Sequence, residues 1–270
     1  MQPMVTMALR AAHKAGEIIA QGYEQLDVIK VQNKEPNDYV TEIDKASERA
    51  IIASLKKSYP DHGFLGEETG HQPGQGEGAD YLWIIDPLDG TTNFIHGVPH
   101  FAVSIACVYR GKVEHAVVYN PVTREEFTAS RGKGAAMNGR RIRVTNRLGL
   151  RGALLGTGFP FRQDQMNYLD NYMSMFRSLV GLTAGIRRPG AASLDLAYVA
   201  AGRFDGFWEF GLKEWDMAAG ILLITEAGGL VGDFRGGNKH MEKGQIVCGN
   251  LKVFKEILTT IQPFVAEDMK

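Results

Sequence analysis

Two carboxylates three residues apart close an apolar run, Trp83-Ile84-Ile85-Asp86-Pro87-Leu88-Asp89, and Gly90-Thr91-Thr92 then opens what reads as a helix. Hard carboxylate oxygens suit Mg2+, which prefers carboxylates, water and substrate phosphate to an all-protein cage. Gly90 lets the backbone come close to a ligand, and the amides of Gly90, Thr91 and Thr92 can point at an anion. Pro87 has no N–H and a fixed φ, so it stiffens the turn that spaces the two acids. The chemistry these residues suit is metal-assisted phosphate transfer. Asp, Pro and Gly are also the commonest turn residues, so Asp-x-x-Asp-Gly by itself reads equally well as a strand-ending turn.

Elements that could position this stretch are legible on both sides of it. Met4, Met7, Ala8, Ala11, Ala15, Ile18 and Ile19 recur at helical spacing and predict an amphipathic helix ending near Gly22. After a polar stretch from Asn33 to Asp38, Thr41-Glu42-Ile43-Asp44 reads as a capping box leading a helix that stops at Tyr59-Pro60. Phe64-Leu65-Gly66 predicts a short strand ending at Glu67 and Glu68, a pair that by itself reads as a solvated loop, and residues 71–80 read as a Gly-rich surface loop.

From Phe101 to Val144 the pattern is an antiparallel meander: 101–109, 113–119, 125–130 and 140–144. Beyond about residue 146, strand and helix alternate, which argues for a more parallel, helix-covered sheet. Gly190-Ala191-Ala192-Ser193 opens a helix through Arg203, residues 205–210 form an aromatic strand, and Trp215-Asp216 opens a helix to Glu226, with Asp216 readable as a first-turn acid. Strands at 231–234 and 246–248 and a last helix from Leu251 to Ile261 complete the chain. A candidate site would need residues from both halves, 1–145 and 146–270, so one compact unit over 1–270 is expected.

The chain has 270 residues, of which 44% are hydrophobic, enough for a sizeable core. A net charge of −1 argues against bulk attraction to nucleic acid, and Arg140-Arg141-Ile142-Arg143 and Arg187-Arg188 are the basic clusters that stand out. The 2 cysteines, Cys107 and Cys248, lie far apart in apolar contexts, so buried free thiols in a reducing cytoplasm are expected. No run reaches the roughly 20 apolar residues a membrane helix needs. His96 and His100 are four apart, but Gly97 and Pro99 between them exclude a helical zinc pair. Gly132-Lys133-Gly134 lacks the third glycine of a dinucleotide fingerprint.

The run from Asp86 to Phe94 resembles the metal-binding signature of the inositol monophosphatase family, as do Gly66-Glu67-Glu68-Thr69 upstream and Trp215-Asp216-Met217-Ala218-Ala219-Gly220 downstream, in the family's order. Residues 99–105 and 193–203 are similar to bacterial members in particular. The resemblance implies an α+β fold, a layered α-β-α-β-α sandwich with an antiparallel N-terminal sheet and a more parallel C-terminal one. It also implies a Mg2+-dependent, lithium-sensitive phosphatase. Glu67, Asp86 and the carbonyl of Leu88 would hold one Mg2+, and Asp86, Asp89 and Asp216 a second, with a third, weaker ion near Glu67. Thr91 and Glu67 would orient the attacking water, and the amides of Gly90 to Thr92 would take the phosphate, with Asp44 close to the metals. Polyol contacts map to Gly190, Ala191, Ala192, Glu209 and Asp216, with Arg187 as the arginine that reaches the substrate. The expected substrate is a small phosphorylated polyol such as inositol-1-phosphate, and relatives are commonly homodimers. One bacterial branch is implicated in ribosomal RNA antitermination as a partner of Nus factors and RNA polymerase, which gives a second expectation, an interaction module with secondary phosphatase activity.

Overall fold

The computed structural model describes residues 2–28, 31–35 and 38–267. Its elements run α1 (Pro3–Tyr23), β1 (Val31–Glu35), β2 (Asp38–Thr41), α2 (Glu42–Ser58), β3 (Gly63–Gly66), β4 (Gly70–Gln72), β5 (Tyr81–Asp89) and α3 (Thr91–Ile95). The meander follows as β6 (Ala102–Tyr109), β7 (Lys112–Asn120), β8 (Glu125–Ser130), β9 (Gly134–Met137) and β10 (Arg140–Arg141). The second half contributes β11 (Leu154–Thr157), α4 (Leu169–Val180), β12 (Gly185–Arg187), α5 (Ala192–Ala200), β13 (Gly206–Phe210), α6 (Glu214–Glu226), β14 (Leu230–Gly232), α7 (His240–Lys243), β15 (Gln245–Gly249) and α8 (Leu251–Ile261).

An eight-stranded sheet, in order β10-β9-β8-β7-β6-β5-β3-β4, is antiparallel except where β3 runs parallel to β5. The five-stranded sheet, β12-β11-β13-β15-β14, is parallel at β12-β11-β13 and antiparallel beyond. Strand alternation sorts the side chains of the large sheet into two cores. Trp83, Ile85, Val103, Ile105 and Val117 face α1 and α2, whereas Ala102, Ala106, Ala116, Ala129 and Ala135 face α5 and α6.

Small residues on the second face let the two helices come close, and those helices are apolar nearly all round because a sheet covers each side of them. Leu194, Leu196, Met217 and Leu222 belong to this central core, as does Phe207 from the smaller sheet. The outer face of the smaller sheet packs Trp208, Phe210 and Val247 against Tyr172 and Met175 of α4 and Val253 and Ile257 of α8. The layers are therefore α1/α2, large sheet, α5/α6, small sheet, α4/α8, as the α+β sandwich reading expected.

The capping box predicted at Thr41 forms: its Oγ1 accepts from the amides of Ile43 and Asp44, and Asp44 Oδ2 accepts from the Thr41 amide at 2.8 Å. Three stretches carry strand pairing that the sequence reading leaves unassigned or reads as loop. The polar stretch 33–38 has no predicted element, and its described flanks pair as the β1–β2 hairpin; Pro36 and Asn37 lie outside the described residues. The Gly-rich loop after Glu68 begins with β4, which extends the sheet edge by pairing Phe64 with Gln72. Residues 134–137, unassigned in the meander, form β9. In each case backbone pairing to an available strand decided the element where local composition did not.

Candidate metal and phosphate site

In a regular strand, residues 86 and 89 would point to opposite faces. Here Asp86 pairs with Ser104 and Asp89 with Ala102, so β5 spends three residues against two of β6. That bulge, centred on Pro87-Leu88, brings both acids to one side. Glu67 arrives by a different route: the parallel pairing of Gly66 with Ile85 carries the next residue alongside Asp86, and the Glu67 amide donates to the Ile85 carbonyl at 3.2 Å. Asp216 comes from the first turn of α6, docked on β6 where Ser104 Oγ donates to the Trp215 carbonyl at 3.2 Å.

Asp86, Asp89 and Asp216 each present a carboxylate oxygen within 4.8 Å of the others. Every one of them has an oxygen tied to a backbone N–H: Asp86 to Leu88 at 3.0 Å, Asp89 to Ser193 at 2.7 Å, Asp216 to Lys213 at 2.6 Å. Those bonds fix the rotamers while leaving a second oxygen to offer. Burial is the main cause that raises all three above the ordinary carboxylate range, with Glu67, Asp89 and Asp216 repelling Asp86 in addition. Asp216 is pushed up to about 8, with Asp89 as its strongest electrostatic cause. No lysine or arginine forms an ion pair with them among the described residues, and the charges that ease the crowding, Arg162 for Asp216 and His100 for Asp89, are weaker than burial, which raises both acids. Crowded hard oxygens with no direct cationic partner are the donor set that Mg2+ fits. Glu67 lines the same cavity.

Gly90 begins α3 at φ +95°, a conformation open to glycine, and a side chain there would meet the His100 carbonyl at 3.0 Å and Ala191 Cβ at 3.1 Å. Thr91 Oγ1 lies 3.0 Å from Asp44 Oδ1 and 3.1 Å from the Leu88 carbonyl, so its proton can go to either. Asp44 is thus both the cap partner of α2 and the neighbour of Thr91, and burial raises its pKa.

The cavity holds about 330 Å³ and is also lined by Gly190, Ala191, Ala192, Glu209 and Arg188. Glu209 is raised well above its usual range, first by burial and then by Asp195 and Asp216. Arg187 is a correction: it ends β12 exposed, its Nη1 donating to the Ile186 carbonyl, and it does not line the cavity. Arg188 does, stacked over Phe159 at 4.6 Å and Phe161 at 5.6 Å. Sequence reasoning also missed Arg162 and Asp195 in the wall. His100 Nε2 lies within hydrogen-bond distance of Asp195 Oδ1 at 3.0 Å, and burial lowers the histidine while raising the acid. His96 lines the cavity but shares no metal-ligand cluster with His100 among the described residues. Cys107 and Cys248 are buried free thiols, as expected.

A larger open groove of about 800 Å³ lies elsewhere, beside Arg147, Arg151 and Arg203. Two of its three arginines are engaged, Arg147 with Asp205 at 3.0 Å and Arg203 with Glu125. It brings together no cluster of acids. No helix among the described residues is long and apolar enough to cross a membrane.

This layered fold and this cluster of acids agree with the sequence comparison: the profile of the inositol monophosphatase family matches residues 1–267, and the chain belongs to that family. It is 68% identical over 270 residues, the whole of both chains, to Nus factor SuhB of Pseudomonas aeruginosa. Among solved structures, extragenic suppressor protein SuhB from Bartonella henselae superposes with a TM-score of 0.92 at 43% identity, covering 97% of this chain and 99% of that one. SaIMPase-II, solved with inositol monophosphate bound, superposes with a TM-score of 0.79 at 26% identity, covering 98% of this chain and 96% of that one.

Proposed function

We propose that this chain is a Mg2+-dependent, lithium-sensitive phosphomonoesterase that hydrolyses inositol-1-phosphate to inositol and phosphate. The observation that carries the reading is the convergence of Asp86, Asp89 and Asp216 within 4.8 Å in a cavity that Glu67 also lines. Glu67, Asp86 and the Leu88 carbonyl would hold one Mg2+, Asp86, Asp89 and Asp216 another, and a third, weaker ion would sit near Glu67. Bound there, Mg2+ would lower the pKa of a water and stabilise the ester oxygen as it leaves.

The chain's own residues supply orientation. Thr91, donating to Asp44, leaves its oxygen free to accept a hydrogen bond from the attacking water and so orient it, and Glu67 holds that water from the other side. The first amides of α3, which have no acceptor within the helix, receive the phosphate. Glu209 takes hydrogen bonds from ring hydroxyls, the walls at Gly190, Ala191 and Ala192 bound the ring, and Arg188 closes the far side. A volume of about 330 Å³ admits a small polyol monophosphate. No protein nucleophile is required. We place the enzyme in the cytoplasm as a homodimer; Met166, Leu169, Met173 and Val180, exposed at helical spacing on and before α4, support a self-association face.

A second reading has its own support, the 68% identity to a Nus factor along the full length. In it the chain binds Nus factors and RNA polymerase in ribosomal RNA synthesis, and catalysis is secondary. One variant tests both. Asp86→Asn should lose Mg2+-dependent phosphate release by at least about a hundredfold while keeping its circular dichroism spectrum, in line with the loss of a directly ligating group. Full activity in that variant ends the catalytic assignment. Retention of Nus factors and RNA polymerase by the immobilised variant supports the interaction role as independent of catalysis; failure of wild type to retain any of them removes it.

A further inference from the structure

Glu48 lies on α2 one turn after Asp44, and it is 0% exposed. Both of its carboxylate oxygens are used: Oε2 accepts the Glu68 amide at 2.9 Å and Oε1 the Thr69 amide at 2.9 Å. A buried carboxylate is expensive to desolvate, and here its compensation comes from two adjacent backbone donors in one turn. The turn they belong to leaves β3, and its first residue is Glu67. Gly66 completes the fit, because a side chain at that position would overlap the Glu48 carboxylate.

We propose that Glu48 is a positioning residue, clamping the Gly66–Thr69 turn so that the Glu67 carboxylate is aimed at a cation it shares with Asp86. The inference rests on the Mg2+-dependent reading above and adds a role for a residue that touches neither metal nor substrate. Asp44 and Glu48, four apart, share one face of α2. From that face the helix sets both flanks of the site, Thr91 through Asp44 and the Glu67 turn through Glu48.

The rival explanation is a brace that serves folding alone, and metal affinity separates the two. The full-length chain, stripped of metal, is titrated calorimetrically with Mg2+ as wild type, Glu48→Gln and Asn250→Ala. The glutamine keeps the volume but turns an NH2 toward one of the two amides. Asn250→Ala is the stability control, since it removes the side chain that accepts the Lys252 and Val253 amides at the start of α8, far from the acids. Loss of a group that orients a metal ligand lowers affinity by about 10–100-fold. We expect Glu48→Gln to weaken Mg2+ binding by about tenfold or more, and Asn250→Ala to bind as wild type despite a lower melting temperature. Wild-type affinity in Glu48→Gln, or equal weakening in Asn250→Ala, overturns the proposal. A wild type that takes up no Mg2+ removes the phosphatase reading and this inference with it, whereas uptake by wild type with unchanged Glu48→Gln removes the inference alone. If Glu48→Gln does not fold, amide exchange in wild type decides: slow exchange at both Glu68 and Thr69 is expected, and open-loop rates at both overturn the clamp.

Discussion

Arg187 and Arg188 differ by one position and by everything that matters to a ligand. The sequence offers two adjacent guanidiniums at the end of a short strand, and adjacent residues on extended backbone point to opposite sides. Which one enters the cavity depends on the register of β12 against β11, which composition does not encode. Arg188 is held by two aromatic faces and is a favourable charge for Glu209. Its truncation should raise KM for inositol-1-phosphate roughly tenfold, a loss of about 1.4 kcal/mol, with kcat within about threefold, while Arg187→Ala stays within about twofold on both. Steady-state kinetics on the two variants checks this; equal effects would refute the assignment of Arg188. Asp86 and Asp89 were legible at this scale because their type, their spacing and the Gly90-Thr91-Thr92 turn already suggest metal chemistry, whereas Asp216 reads locally as a first-turn acid and its metal role came from the resemblance alone. Glu48 was not, since a glutamate on an amphipathic helix ordinarily faces water.

At the scale of elements, the capping box at Thr41, α8 and the alternating second half could be read from local patterns. The bulge in β5 could not, because it exists only in the pairing of β5 with β6. Nor could the position of α5 and α6 be read locally, although their all-round apolar character marks helices covered on both sides. Their burial ties the halves together: the alanine face of the large sheet packs on these two helices, and Leu196 packs directly on α6 at Gly220. From this we predict that a fragment ending at residue 145 exposes that face and fails to melt cooperatively by circular dichroism, whereas the full chain melts in one transition. A cooperative fragment would show that residues 1–145 are a domain in their own right, against the single unit proposed for 1–270.

For the whole molecule, the account depends on topology delivering acids from β3, β5 and α6 to one place, with α2 bracing two sides. The order of motifs along the chain hinted at this convergence, and the resemblance of those motifs named the chemistry, but distance in space follows from the parallel β3–β5 pair and from the docking of α6 across the sheet. Anomalous diffraction from crystals of the full chain soaked in Mn2+, a substitute for Mg2+ with the same preference for oxygen, tests it most directly. The predicted result is anomalous density within roughly 2.0–2.6 Å of carboxylate oxygens from Asp86, Asp89 and Asp216, with Glu67 on the adjoining ion. Density bound only elsewhere, with these four carboxylates bare at saturating Mn2+, would contradict the account.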